Sequence, residues 1–226
     1  MDFAGRTVIL AAGDFPTAEA PLRALREARR LVCCDGNAAK AAEAVGFEPM
    51  VIVGDCDSLD DETRRRFADK IVEVAEQDDN DLAKAFRYAI SQGWRDVVIL
   101  GATGRREDHT LGNIAHLADF AAEAESLAMV SDYGIFLPVR APGGKFQVGS
   151  GAQISIFGFD PTIPVTATGV KYPVRDLLLP YWWTATLNEA VADVVSVSIT
   201  RGVVLLYAAF DNAQCIMHNA QCTMKR

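Results

Sequence analysis

Over roughly the first 135 residues, short β-branched and aliphatic runs alternate with stretches of helical periodicity, which points to a parallel sheet with crossover helices. Candidate strands lie at 7–11, 31–34, 51–53, 71–74, 97–100 and 127–130. The clearest helix covers 81–92, where Leu82, Ala85, Phe86, Ala89 and Ile90 follow the i, i+3, i+4, i+7, i+8 spacing of one buried face. Gly93 stands where a left-handed C-cap would end it. A second stripe, Leu111, Ile114, Ala115 and Ala118, predicts a helix after the fifth strand.

After Leu137 the pattern changes. Pro138-Val139-Arg140-Ala141-Pro142-Gly143-Gly144-Lys145 is rich in breakers and reads as a linker, and no long helical stripe follows it. The later runs at 153–157, 165–168, 177–179, 194–200 and 203–207 are short and punctuated by Gly and Pro. Val195, Val197 and Ile199 alternate with Ser196, Ser198 and Thr200, as a half-buried strand requires, and Arg201-Gly202 turns the chain into a last strand. The expected architecture is α/β: a Rossmann-like parallel α/β/α domain over 1–137, a small antiparallel β-sandwich over 146–210, and a tail over 211–226. In that tail Asn212-Ala213-Gln214-Cys215 is echoed by Asn219-Ala220-Gln221-Cys222; two cysteines with His218 between them match no zinc pattern, and the segment reads as idle.

Composition narrows the function classes. A chain of 226 residues with 50 % hydrophobic and 23 % charged residues can bury a core without staples, in one large domain or two unequal ones. A net charge of −8 repels phosphate backbones and argues against a general nucleic-acid binder. No apolar run is long enough to span a bilayer as a helix. The first residues pass directly into a strand-like run without a charged-then-apolar leader, and the 5 cysteines, with Cys33 and Cys34 adjacent, form no disulfide framework. The expectation is a cytoplasmic protein.

The acidic residues cluster at strand ends. Asp35 follows the second strand, Asp55 and Asp57 follow the third through Gly54, Asp78, Asp79 and Asp81 close the segment after the fourth, and Asp108 lies in the loop after the fifth. In an open parallel sheet the C-terminal strand ends share one rim, where ligands bind. Carboxylates brought together there repel one another unless a cation compensates them, and hard oxygen ligands suit Mg²⁺ with substrate phosphate. Singly, such acids also serve as turn residues or N-caps, as Asp79 or Asn80 would for the helix that follows.

The loop Gly101-Ala102-Thr103-Gly104-Arg105-Arg106-Glu107-Asp108-His109 opens the next helix. Its glycines let backbone N–H groups approach an anion, the helix start adds partial positive charge, and the arginines match phosphate oxygens. Gly104, Arg106, Asp108 and His109 are therefore candidate phosphate-side residues, although the loop lacks the Gly-Lys-Ser/Thr of a Walker A motif. His109 could serve as an acid or base or hold Asp108 in place, but a lone histidine at a helix start is more often a cap or packing partner, and alternation along the chain would turn Cys56 away from its acidic neighbours into packing.

Together, Asp35-Gly36-Asn37-Ala38, Gly54-Asp55-Cys56-Asp57-Ser58, Gln77-Asp78-Asp79-Asn80-Asp81, the 101–109 loop and Asn188-Glu189 resemble, in order and spacing, the motifs of the thiamine pyrophosphokinase family. Asn80 stands where the family commonly has Thr, and Thr186-Leu187 replaces a Ser-rich approach to Asn188. The resemblance implies transfer of a diphosphoryl group from ATP to the hydroxyl of thiamine, with Mg²⁺, in a homodimer whose partner completes the site. By that similarity Asp55, Asp57 and Asp81 would bind the metal, and Asp35, Gly36, Asn37, Arg106 and Asp108 would surround ATP. Gln77 and Asn188 would face thiamine. Mg²⁺ and Arg106 would neutralise the reacting phosphates, Asp81 would hold the metal against them, and Asp108 would accept or orient the alcohol proton. Thiamine is cationic with flat rings, so Trp182, Trp183 and Tyr207 are candidate stacking partners, with sandwich core as their other reading.

Three other readings compete. Asp55-Cys56-Asp57 has the Asp-x-Asp form of a sugar-nucleotide glycosyltransferase, a pterin could replace thiamine as acceptor, and a nucleotide sensor would bind ATP without turnover. The first does not account for the 101–109 loop.

Overall fold

The computed structural model describes residues 3–55 and 59–210; Cys56, Asp57 and the tail at 211–226 lie outside the described residues. The chain divides into two compact units between Ser131 and Asp132.

The first unit carries six strands: β1 (Thr7–Leu10), β2 (Arg30–Cys34), β3 (Val51–Gly54), β4 (Ile71–Glu73), β5 (Asp96–Leu100) and β6 (Ser126–Val130). Their order is β6-β5-β1-β2-β3-β4, and every neighbouring pair is parallel. Strands β1 and β3 are buried at every residue, which is why their sequences are continuous aliphatic runs and not alternating ones. The chain steps outward from β1 to β4 and then returns to the other side of β1 for β5. The topological switch point, where open α/β sheets bind ligands, therefore lies between the C-terminal ends of β1 and β5.

The connecting helices are α1 (Glu19–Arg26), α2 (Asp35–Ala44), α3 (Asp61–Arg66), α4 (Asp81–Ser91) and α5 (Glu107–Phe120). In α4 the expected stripe of Leu82, Ala85, Phe86, Ala89 and Ile90 is buried. Asn80, not Asp79, is its N-cap: the Ala83 N–H donates to Asn80 Oδ1 at 3.0 Å, while Asp79 pairs with Arg87. Asn80 also donates to Asn113 Oδ1 at 2.9 Å, so Asn80→Ala removes a cap and a partner of a buried amide. A loss of about 1–2 kcal/mol in unfolding free energy is expected, read from the denaturant midpoint; an unchanged midpoint would mean that the helix start is held some other way.

Helix α5 does not bury the stripe expected of it. Leu111 is 53 % exposed and Ile114, Ala115 and Ala118 are half-buried, whereas Asn113, Leu117 and Phe120 face inward. The rotation has a polar cause and an aromatic one. Asn113 Nδ2 donates to the Ala102 carbonyl at 2.8 Å, and the Phe120 ring stacks on Phe86 with centroids 3.9 Å apart.

The second unit holds β7 (Gly134–Arg140), β8 (Gly143–Gln147), β9 (Gln153–Gly158), β10 (Val165–Thr168), β11 (Val174–Leu177), β12 (Ala185–Glu189), β13 (Val194–Ile199) and β14 (Val203–Ala209). They pair antiparallel in the orders β12-β9-β14-β7 and β11-β10-β13-β8, the expected sandwich. The linker reading of residues 138–145 is corrected: they form the end of β7, a corner at Ala141-Pro142, and the start of β8, so the sandwich begins before residue 146. Pro138 lies within an unbroken register between β7 and β14, because its fixed φ is compatible with extended backbone. Gly143 is a close-approach glycine: a Cβ there would lie 2.1 Å from the Val197 carbonyl oxygen of β13. Strand β11 falls before the expected 177–179 run, and Leu179 instead buries itself against Gly158. Strand β12 was not expected, since its Thr-Leu-Asn-Glu core lacks a clean apolar alternation; its pairing with β9 is interrupted by a bulge.

Candidate active site

The acidic rim is built by three successive β–α junctions. Asp35 ends β2 and opens α2 with a left-handed φ of 62°, uncommon for a residue with a side chain. Asp55 follows Gly54 at the end of β3, and Asp81 begins α4. One carboxylate oxygen of each lies within 4.8 Å of the others. Gly54 permits this, because a Cβ there would meet Asp81 Oδ1 at 3.1 Å and Asp35 Cβ at 3.3 Å.

Three carboxylates meet here beside one lysine. Burial raises the Asp81 pKa above the ordinary carboxylate value, and the neighbouring Asp55 and Asp35 charges push the same way, against the opposing hydrogen bond and charge of Lys84. Asp35 Oδ1 is buried with no hydrogen-bond partner among the described residues. An orphaned buried oxygen among three converging carboxylates fits a hard divalent cation. The structure therefore adds Asp35, expected on the nucleotide, to the candidate metal ligands Asp55 and Asp81. The fourth acid, Asp57, lies outside the described residues.

The other wall is the glycine-spaced loop after β5. Backbone bonds from Ala11 to Leu100, Gly13 to Gly101 and Asp14 to Thr103, at 2.8, 2.7 and 2.9 Å, tie it to the loop after β1. Arg106 is the N-cap of α5 and grips Asp108 with two bonds, Nε to Oδ1 at 3.1 Å and Nη2 to Oδ2 at 2.5 Å. This bidentate pair holds the Asp108 carboxyl below its ordinary pKa and raises that of Arg106. The His109 N–H donates to the same carboxylate at 2.9 Å.

A cleft of about 420 Å³ lies between these walls. Of the sequence-expected residues, Asp35, Asn37, Asp55, Gln77, Asp81, Gly104, Arg106 and His109 line it. Gln77 Nε2 reaches Asp55 Oδ2 at 3.4 Å. Gly36 is buried within the start of α2 and Asp108 is turned onto Arg106, and neither lines the cleft. Among the lining residues that sequence reasoning missed, Lys84 and Asn113 carry polar side chains. Asp81 and Lys84 at i, i+3 on one helix are a readable signal for the first; nothing in the sequence marks Asn113 as the bridge between the start of α4 and the glycine loop. Cys34 also lines the cleft but is inert: burial pushes its thiol well above the ordinary value, and that of Cys33 to about 12.

The remaining candidates belong to the second unit. Asn188 is buried and locked onto the Tyr172 backbone, accepting from its N–H at 3.0 Å and donating to its carbonyl at 2.8 Å. Trp182 is edge-packed on Phe157 and Phe159, whereas Trp183 is 70 % exposed and stacked on Tyr181. Tyr207 packs on Phe136 across β14 and β7.

Acidic residues facing an arginine-bearing helix start across the switch-point crevice of a parallel sheet form the kind of site an α/β enzyme uses for phosphate chemistry. The sequence matches the family described as thiamin pyrophosphokinase, catalytic domain, over residues 22–129, and thiamin pyrophosphokinase, substrate-binding domain, over 134–207. The chain belongs to the thiamin pyrophosphokinase family of enzymes. Among its relatives, thiamine pyrophosphokinase of Bacillus subtilis (strain 168) is 27 % identical over 175 residues, covering 74 % of this chain and 81 % of that one. Thiamin pyrophosphokinase 1 of Caenorhabditis elegans is 25 % identical over 167 residues, covering 69 % and 68 %. The fold is that of the Bacillus subtilis thiamine pyrophosphokinase crystal structure, with a TM-score of 0.75 at 22 % identity over 91 % of this chain and 100 % of that one. It is also that of thiamin pyrophosphokinase from Candida albicans, with a TM-score of 0.74 at 14 % identity over 91 % and 90 %.

Proposed function

We propose that this protein transfers the terminal diphosphoryl group of ATP to the hydroxyl of thiamine, giving thiamine diphosphate and AMP. The observation that carries the reading is the convergence of Asp35, Asp55 and Asp81 across one cleft from Arg106, in a chain of this family. The thiamine oxygen forms a bond to the β-phosphorus as the bond from that phosphorus to the oxygen it shares with the α-phosphate breaks. AMP leaves with the electron pair. Such a transfer asks the protein for alignment and charge neutralisation more than for covalent work.

Asp35, Asp55 and Asp81, with Asp57 as the family resemblance implies, would hold Mg²⁺, which when bound would supply positive charge to the phosphate oxygens. Arg106 donates to the phosphate oxygens that gain charge, Asp108 aims Arg106, the alcohol proton leaves to solvent, and Gly104 and His109 line the phosphate side. Asn37 and the start of α2 at Gly36 border the nucleotide. Gln77 orients thiamine. Trp182, Trp183 and Tyr207 are the aromatic candidates for its flat rings, of which the thiazolium is cationic, and Asn188 holds the Tyr172 backbone. The protein acts as a homodimer in the cytoplasm; among the described residues no helix is long and apolar enough to cross a membrane.

ATP labelled at the β-phosphorus tests the reading: the label is expected in the thiamine product and absent from AMP. Label left in a nucleoside diphosphate would sink it.

A pH prediction follows from the trio. The raised Asp81 pKa means that its contribution to stability is fully present below the unfolded value and is lost as pH rises through the folded one. Mg²⁺ relieves that penalty, so it should raise the melting temperature clearly near pH 7 and much less at about pH 4, where protons compete for the carboxylates. Equal increments at both pH values would place the bound metal elsewhere.

A further inference from the structure

Lys84 is the sole buried cation among the described residues, with 3 % of its surface exposed. Lysine normally extends its stem so that the ammonium stays in water, and withdrawing it is unfavourable by several kcal/mol unless an anion compensates. In α4 it lies among Leu82, Ala83, Ala85 and Phe86, all buried, yet its side chain reaches the cleft wall. The one hydrogen bond of its side chain among the described residues runs from Nζ to Asp81 Oδ1 at 3.3 Å, longer than the 2.7–2.9 Å usual for a charge-assisted bond. An ammonium has three donors, so two of them have no partner among the described residues.

The partner it does have is also a candidate metal ligand. Once a divalent cation engages Asp81, the ammonium is left buried beside a cleft with its only described anion shared with a dication. Something else in the cleft must then be negative.

We infer that Lys84 is a substrate-binding residue: its ammonium rests on Asp81 in the metal-free protein and donates to a phosphate oxygen of the nucleotide when metal and ATP are both present. This rests on the functional reading above for the identity of the anion. It differs from the Arg106 contact in being made from the acidic wall, by a buried group that bulk salt screens little. Lys84 thus binds the polyphosphate on the side where the carboxylates alone would repel it.

The test is equilibrium binding to the full chain by calorimetry, with ATP in the presence of Mg²⁺ and with Mg²⁺ alone. Lys84→Met is expected to weaken ATP binding by about tenfold or more, the range for a lost hydrogen bond to a charged group. Binding of Mg²⁺ alone is expected to be no weaker, because a cation beside the site has been removed. ATP affinity within twofold of the parent would overturn the inference. So would equal losses for Mg²⁺ alone and for ATP, since Lys84 would then merely support Asp81. If the Met variant does not melt cooperatively, Lys84→Gln, which is one atom shorter and keeps a donor without the charge, is read by the same criteria. A parent protein that binds ATP but forms no thiamine diphosphate would remove the functional reading and leave the binding test of Lys84 intact.

Discussion

Asp81→Asn is expected to lower turnover by roughly two to three orders of magnitude or more, the scale of removing one preorganised charge-stabilising group, while leaving the metal-free protein at least as heat-stable as its parent. Both halves follow from one arrangement. Asp81 is partly buried beside Asp55 and Asp35, and its carboxyl is harder to ionise than an ordinary one because burial and both neighbours oppose the charge. Asparagine keeps the shape and an oxygen to accept from Lys84, but carries no charge to repel the other two acids. The fold therefore loses a source of strain and the site loses a metal ligand, the exchange of stability for function seen at many active sites. Melting curves in chelator, beside turnover at saturating Mg²⁺, check both halves. Turnover within tenfold of the parent would remove Asp81 from the metal site.

Arg106→Ala should produce a comparable fall in turnover, about a hundredfold to a thousandfold, with little change in the KM for thiamine. The side chain is exposed and, among the described residues, paired with Asp108, so its removal leaves the core untouched. Its planar fork already makes two parallel bonds to a carboxylate, the geometry by which it would hold two phosphate oxygens. Arg106→Lys should therefore recover only a small part of the loss, because a single ammonium cannot reproduce the fork. In either variant the Asp108 carboxyl, now held low by Arg106, should titrate closer to the ordinary carboxylate value. A full rate with lysine would show that Arg106 supplies charge without geometry, and a full rate with alanine that the loop does not touch the reacting phosphates.

The parallel half of the fold was legible because its buried strands are uninterrupted aliphatic runs and α4 carries a clean stripe. Two signals misled. In α5 the apolar stripe lost to Asn113, whose two hydrogen bonds outweighed burial of Leu111 and turned the helix on its axis. In the sandwich, Pro138 and Gly143 look like breakers but lie within strands, the first tolerated by its φ and the second required by the approach of β13. At the site, the order of acids after successive strands placed Asp35, Asp55 and Asp81 on one rim. That Asp35 joins the acidic cluster depends on a left-handed φ and on the space left by Gly54, which only coordinates reveal. The pairing of Arg106 with Asp108 was likewise hidden, since two neighbours on a loop say nothing of which way each turns.

Diphosphoryl transfer from ATP to thiamine releases one AMP for each thiamine diphosphate formed. Incubated with ATP, Mg²⁺ and thiamine and resolved by chromatography, the protein should form AMP and thiamine diphosphate in equal amounts, dependent on thiamine and abolished by chelator. AMP without thiamine diphosphate, thiamine diphosphate without AMP, or neither, would contradict it.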